Sequence, residues 1–524
     1  MSLTRRGLLQ GAAALAAAPA GGADWPSLAA AFRVPDWFRD AKFGLWAHWG
    51  PQCVPEAGDW YGRLMYVQGH PAYDHHLRTY GHPSRTGFLD IIGRWKAEAW
   101  EPERLIALYR KAGARYFVSM ANHHDNFDNF DSMHHSWNSV RVGPKRDIVG
   151  TWAKAARAAG LRFGVSNHSS HAWHWWQTAY GYDAEGSLKG RRYDAFRLRR
   201  KDGAGTWWEG LDPQDLYTGP AFVPPDGLAS PAAMNAWHDA RDGQWLEYAP
   251  PQNPRFTARW LLRQKDLVEK YRPDLVYFDD TGLPLGRAGI EAAAHYYGLG
   301  LDGVVTAKKL SPYQRLGLVE DVERGFVEGI RPQPWQTDTC IGNWHYDRGL
   351  YERRGYKSAK NVVQRLADAV SKNGNLLLSI PVRGDGTIDE LEEAILADLA
   401  GWFAGNGAAI HATRPWRVFG EGPTRPRAGV MNEGEAAPFT SADVRFTARG
   451  GTLNAILLDW PEGKTAIQAL GTDALPDARV ERVTLLGGGP LAWLRDRQGM
   501  HFTLPQPTRG AFVPVVRIEG RGLA

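Results

Sequence analysis

Between residues 42 and 381, short runs of consecutive apolar residues alternate with stretches whose apolar positions recur every three or four residues. The continuous runs read as strands buried on both faces, as in a parallel sheet. They are Lys42–Gly50, Arg115–Ala121, Arg162–Ser166, Leu275–Phe278, Gly303–Ala307, Leu318–Val322, Pro334–Thr339 and Asn375–Ile380. The periodic stretches read as helices over Glu101–Ala112, Ile148–Ala159, Ala258–Tyr271, Lys357–Val370 and Glu390–Phe403. Gly113, Gly160 and Pro273 stop three of them. Strands alternating with helices predict an α/β fold, a (β/α)8-type, TIM-like barrel spanning 25–415. The helical signal is weak between Ala307 and Pro334, so the barrel is expected to be irregular there.

After Trp416 the period changes from helical to twofold. Short alternating segments separated by Gly/Pro turns, such as Val444–Thr447, Leu453–Leu458 and Val513–Ile518, predict a C-terminal antiparallel β-sandwich over 416–524. No group of evident catalytic use lies in it, so it is expected to serve mainly to cover barrel surface. A polar insertion rich in Gly, Pro and Trp occupies Asp183–Gln252, and its expected place is the leaving-group side of a site. Residues 1–20 read as a cleaved leader: Arg5-Arg6 opens a twin-arginine pattern, an Ala/Leu run follows, and Ala18-Pro19-Ala20 is a small-x-small cleavage site. Export to the periplasm or beyond is the expectation.

The chain has 524 residues, 43% hydrophobic and 23% charged, ordinary for a globular protein. A net charge of +5 with scattered Arg is not the concentrated basic stripe of a nucleic-acid binder, and no segment is long and apolar enough to span a bilayer. The 23 Trp are unusual, and Trp offers a flat apolar face suited to a sugar ring. Two cysteines, Cys53 and Cys340, leave room for one bridge in an oxidising compartment and for no disulfide framework.

Polar residues collect where the predicted strands end: His48, Asp59-Trp60, His123-His124-Asp125, Asn167-His168, Asp279-Asp280 and Glu323. That end of each strand faces the active site of a barrel. Imidazoles and carboxylates bond hydroxyls, an aromatic stacks the apolar edge of a ring, and two carboxylates suffice for glycosidic cleavage. Adjacent histidines at a strand end point apart, which makes His123-His124 a poor bidentate metal site, and no HExxH motif is present. His134-His135 reads as surface.

Several segments, taken in order, now resemble the α-L-fucosidases of glycoside hydrolase family 29, over roughly Trp37 to Trp416. They are Ala41–Gly50, Asp59-Trp60-Tyr61, His123-His124-Asp125 with Ser132, Trp137-Asn138, Arg146-Asp147, Asp274–Asp279, Pro334-Trp335-Gln336-Thr337, Lys357–Lys360, and Gly374–Ile380 with Asp385–Ile388. The resemblance implies a retaining hydrolase releasing terminal α-L-fucose from a glycan, with a barrel, a C-terminal β-sandwich, no cofactor and no metal. It implies Asp279 as nucleophile in a motif where Tyr277 replaces Trp and Asp280 replaces Gly, which makes Asp280 a second candidate. It makes His48, Trp60, His123 and His124 sugar-binding, and Asp59 too, where the family more often has Glu. A Tyr-Tyr-Ser common in the family is replaced around Ser166–Trp173, with His168 and His171 as candidate substitutes. Glu323 is the expected acid/base, with Asp338, Glu320 and Glu328 as rivals. The alternatives are the same mechanism on a fucose-like sugar such as α-L-galactose, or a non-catalytic sugar-binding protein on this scaffold.

Overall fold

Alternate residues along each barrel strand point to opposite sides, and the buried side chains sort accordingly into two cores. In the computed structural model, which describes residues 23–242, 253–508 and 510–523, eight parallel strands close a barrel in sequence order. They are β1 (Phe43–Ala47), β2 (Tyr116–Asn122), β3 (Arg162–Asn167), β4 (Leu275–Thr281), β5 (Val304–Lys308), β6 (Val319–Asp321), β7 (Trp335–Cys340) and β8 (Gly374–Ser379). Phe43, Leu45, Phe117, Phe163, Val165, Val276, Phe278, Leu376 and Leu378 face the outer helices in the larger core. Trp46, Tyr116, Val118, Leu275, Tyr277, Val304, Val319 and Leu377 fill the barrel. Gly44 is required by that filling: a Cβ there would lie 2.3 Å from the Tyr116 ring.

The outer helices follow the sequence pattern. Pro102–Lys111, Ile148–Ala158, Pro254–Tyr271, Ala359–Ser371 and Glu390–Asn406 pack around the strands. The Pro254–Tyr271 helix ends on Arg272 at φ 45°, just before Pro273. The barrel is irregular where the periodicity is weak. Between β5 and β6 there is a single 3-10 turn, Gln314–Leu316, and no helix lies between β6 and β7.

Antiparallel sheets follow. A six-stranded one contains β9 (Arg414–Glu421), β10 (Val444–Arg449), β11 (Thr452–Leu457), Val515–Arg521, Arg479–Leu485 and Gly489–Pro490, beside a three-stranded sheet of Lys464–Ile467, Met500–Thr503 and Trp493–Arg495. The six-stranded sheet docks on the Ala359–Ser371 helix. Buried Arg445 donates from Nε to Asp368 Oδ1 at 2.8 Å, and Lys372 Nζ donates to Asp368 Oδ2 at 2.9 Å. Such a desolvated triad is costly to break from either side.

Three expectations are corrected or lie outside the described residues. Cys53 and Cys340 are both buried and free: Cys53 follows β1, Cys340 ends β7, and β8 runs between them. His135 is buried, with Nε2 2.7 Å from the Asn126 carbonyl, because its loop folds back over β2, while His134 is exposed. The leader 1–20 is outside the described residues, as is 243–252 of the insertion. No described helix is long and apolar enough to cross a membrane.

Candidate active site

Inward-facing positions at the C-terminal strand ends carry the polar groups. Beyond Trp46, Tyr277, Thr306 and Gln336 in the barrel come His48, Asp279, Lys308 and Asp338, and Glu323 continues the same alternation after Asp321. Together they line a cavity of about 630 Å³ at the barrel mouth. All the residues expected from the sequence are there: Asp279, Glu323, His48, Asp59, Trp60, His123, His124, His168 and His171. The described part of the insertion contributes none of the lining. It packs to one side, where Asp183 accepts from Tyr73 and Tyr193 and Asp194 from Tyr66 and Tyr217.

Asp279 and Asp280 sit in an irregularity of the β4–β5 ladder, between Tyr277 and Thr281. Such irregularities re-aim side chains at barrel rims. Asp279 enters the cavity. His168 Nδ1 lies 3.1 Å from its Oδ2, and Lys308 Nζ donates to its Oδ1. Burial favours the neutral acid most, but the Lys308 charge with His168 and His124 outweighs it and holds the carboxyl well below its usual range. Asp280 turns to the neighbouring loop. It accepts from Ser170 Oγ at 2.8 Å and lies 3.1 Å from His171 Nε2, so both oxygens are engaged and it anchors the loop after β3.

Lys308 is the residue the sequence reading missed. Its Nζ also donates to Glu323 Oε2 at 2.6 Å, so one ammonium touches both candidate catalytic carboxylates. Burial opposes its charge, but Asp279, Glu323 and Asp338 together push its pKa well above the usual lysine value. Below it, Asp321 and Asp338 are fully buried and feel each other's charge. Burial first, then neighbouring negative charge, raises both, Asp321 to about 7. Tyr277 donates to Asp338 Oδ2 at 2.8 Å, and Gln336 to Asp321 Oδ2 at 2.7 Å. Asp338 is thus the floor of the site. Glu320 pairs with Arg315 and Arg331, and Glu328 is exposed, so neither reaches the cavity.

The histidines are held mostly neutral. Burial, and then the other imidazoles, push His48 and His123 well below the usual range, and burial does the same to His124. Their partners fix tautomers. The Gln52 amide donates to His123 Nδ1 at 2.7 Å, leaving the proton on Nε2. His124 Nδ1 donates to the His168 carbonyl at 2.8 Å, leaving Nε2 as an acceptor. Both ring nitrogens of His48 lack a hydrogen-bond partner among the described residues although the side chain is buried. Neutral imidazoles with set donors and acceptors suit a ring of hydroxyls. The adjacent histidines do not point apart: their rings lie 4.3 Å from each other in the same cavity, and both reach His168. His123 lies with His48 and His168, and His124 with His168 and Asp279, each trio bringing ligand atoms within 4.8 Å of one another. Either trio could chelate a cation, which periodicity alone did not foresee.

Asp59 lines the cavity and is also engaged by the protein backbone. It accepts from the backbone N–H of Trp344 and His345, at 3.2 and 2.7 Å, and so positions the loop that brings Trp344 into the cavity. Trp60, at φ 61° and 37% exposed, is held in a left-handed conformation at the rim. Non-Gly residues persist there only where the surroundings over-determine them.

One pH effect follows from the His171–Asp280 pair. Burial lowers the His171 pKa, but Asp280 outweighs it and lifts it from 6.5 to about 9. A raised histidine pKa gives stability that is full below about pH 6.5 and lost as pH rises through 9, about 3 kcal/mol for this shift. The Tm of the wild type should therefore fall more steeply between pH 6.5 and 9 than that of Asp280→Asn. Identical slopes would remove the pair from the account.

Comparison with known proteins agrees with this geometry. The alpha-L-fucosidase family profile matches residues 9–408. The human tissue alpha-L-fucosidase is 27% identical over 92% of this chain and 87% of its own. An alpha-L-fucosidase of Branchiostoma floridae is 26% identical over 93% of each. Among solved structures, an alpha-L-fucosidase superposes with a TM-score of 0.69 at 25% identity, covering 95% of this chain and 100% of that one. The Thermotoga maritima alpha-fucosidase in complex with fucose gives 0.66 at 26%, covering 94% and 99%. The chain belongs to the alpha-L-fucosidase family, glycoside hydrolase family 29.

Proposed function

We propose that the protein is an exo-acting retaining α-L-fucosidase, with Asp279 as nucleophile and Glu323 as acid/base. The observation that carries this is the single ammonium of Lys308 touching both carboxylates. Two hydrogen bonds to one nitrogen keep the contacting oxygens within about 6 Å. A retaining pair stands about 5–5.5 Å apart and an inverting pair about 6.5–9.5 Å, to admit a water. The floored cavity suits a terminal sugar rather than a threaded chain.

In the first step Asp279, kept ionised by Lys308, attacks the anomeric carbon. Glu323 gives a proton to the glycosidic oxygen, and the aglycone leaves. Neutral His48, His123 and His124 bond the hydroxyls, and His168 and Lys308 hold the nucleophile in line. In the second step Glu323 takes a proton from water, which displaces Asp279 and releases the sugar with its configuration retained. The twin-arginine run at residues 4–9 supports an exported enzyme acting on fucosylated glycans.

Proton NMR of an aryl α-L-fucoside reaction, run in EDTA, tests the reading. The α-anomer of fucose should appear first, at an undiminished rate. The β-anomer first would mean inversion. Loss of activity in EDTA, restored by zinc, would assign a histidine trio to a metal instead.

A further inference from the structure

The cavity has one wall that comes from outside the barrel. The connection between β9 and β10, residues 422–443, leaves the C-terminal sheet and crosses to the barrel mouth, where Val430 and Met431 join the lining. It pairs with the loop that carries Glu323. Phe326 and Gly429 exchange both backbone hydrogen bonds at 3.0 Å, Met431 N–H donates to the Glu323 carbonyl at 2.8 Å, and Glu433 N–H donates to the Arg324 carbonyl at 2.9 Å. A Cβ on Gly325 would meet the Gly429 carbonyl oxygen at 1.9 Å, so the approach requires glycine there. The Glu433 carboxylate closes the clamp, accepting from Thr339 at 2.7 Å and lying 3.3 Å from Lys357 Nζ.

We propose that this strap forms the leaving-group subsite: Val430 and Met431 carry the aglycone of a fucosylated glycan, taken as a neutral pyranose lying with its C–H face on them. The inference rests on Glu323 as the acid/base. The acid protonates the oxygen between the two sugars, so the group bonded through that oxygen departs past Glu323 toward solvent. Met431 is hydrogen-bonded to the Glu323 backbone on that side. It is 57% exposed, a large apolar side chain held outward at φ 55° on the rim of a polar cavity. An exposed apolar group so fixed is informative where a scattered one is not. The thioether is unbranched and polarisable, and it moulds to an irregular C–H surface. Arg324, also in the lining, offers donors to acceptor hydroxyls at the same edge.

The test compares a fucosyl disaccharide with α-L-fucosyl fluoride, whose leaving group is a single atom with nothing to lay on the strap. For Met431→Ala, the ratio of kcat/KM on the disaccharide to that on the fluoride should fall about tenfold, mainly through KM, as loss of an apolar pocket contact does. Met431→Leu should restore most of it. If Met431→Ala changes both substrates by the same factor, or neither, the strap carries no aglycone and the inference is overturned. Failure of the underlying reading shows separately in Glu323→Ala, which with azide should still turn over the fluoride but not the disaccharide; equal loss of both would mean that Glu323 is not the acid/base, whatever Met431→Ala does.

Discussion

Asp279→Ala is expected to lower kcat about 10⁶-fold with no loss of Tm, the scale on which removing a catalytic nucleophile acts. The carboxylate supplies the covalent intermediate, and no neighbour can replace it. Asp280, one residue on, is committed to Ser170 and His171. The fold should tolerate the change. A buried carboxylate costs desolvation, here offset by Lys308 and the histidines, and without it Lys308 keeps Glu323 as counterion. Azide should fill the vacated space and attack the anomeric carbon directly, giving the β-azide from an α-fucoside through one inversion. Near-normal turnover would sink the assignment, and an inactive variant of lowered Tm would show that Asp279 holds the structure instead.

The barrel was legible because its strands are buried on both faces and its helices have one apolar stripe, so the period announces each element. The site was legible at strand ends, where His48, His168, Asp279 and Glu323 stand as polar residues with no packing reason to be there. The alternation that fixes Trp46, Tyr277 and Thr306 inside the barrel would also have pointed to Lys308 and Asp338, two residues beyond an inward-facing position. Lys308 was overlooked because a lysine after a short strand reads as a solvated end. That Asp59 also holds the Trp344 loop could not be read, because side-chain type does not reveal which backbone N–H groups of a distant loop bond to it. Val430 and Met431 could not be found by any local pattern. Their place depends on a C-terminal connection crossing to the barrel, a contact between segments more than a hundred residues apart.

Glu323→Ala should produce a different defect from Asp279→Ala. A general acid contributes about 10²–10⁴-fold, and its loss falls on substrates whose leaving group needs a proton. An activated aryl fucoside, which leaves as a stable anion, should keep much of its first-step rate in this variant. A fucosylated oligosaccharide should lose nearly all of it. With the base also missing, the covalent intermediate should wait for water, and azide should relieve it. The β-linked intermediate would then be opened by a second inversion, giving the α-azide, the opposite anomer from the one expected of Asp279→Ala. The pair of products thus separates the two roles by stereochemistry rather than by rate. The removal also leaves Lys308 bonded to Asp279 alone, which keeps the nucleophile ionised and in place for this test. If azide does nothing and both substrates lose activity equally, Glu323 is not the acid/base, and the lysine bridging the two carboxylates marks a structural ion pair instead.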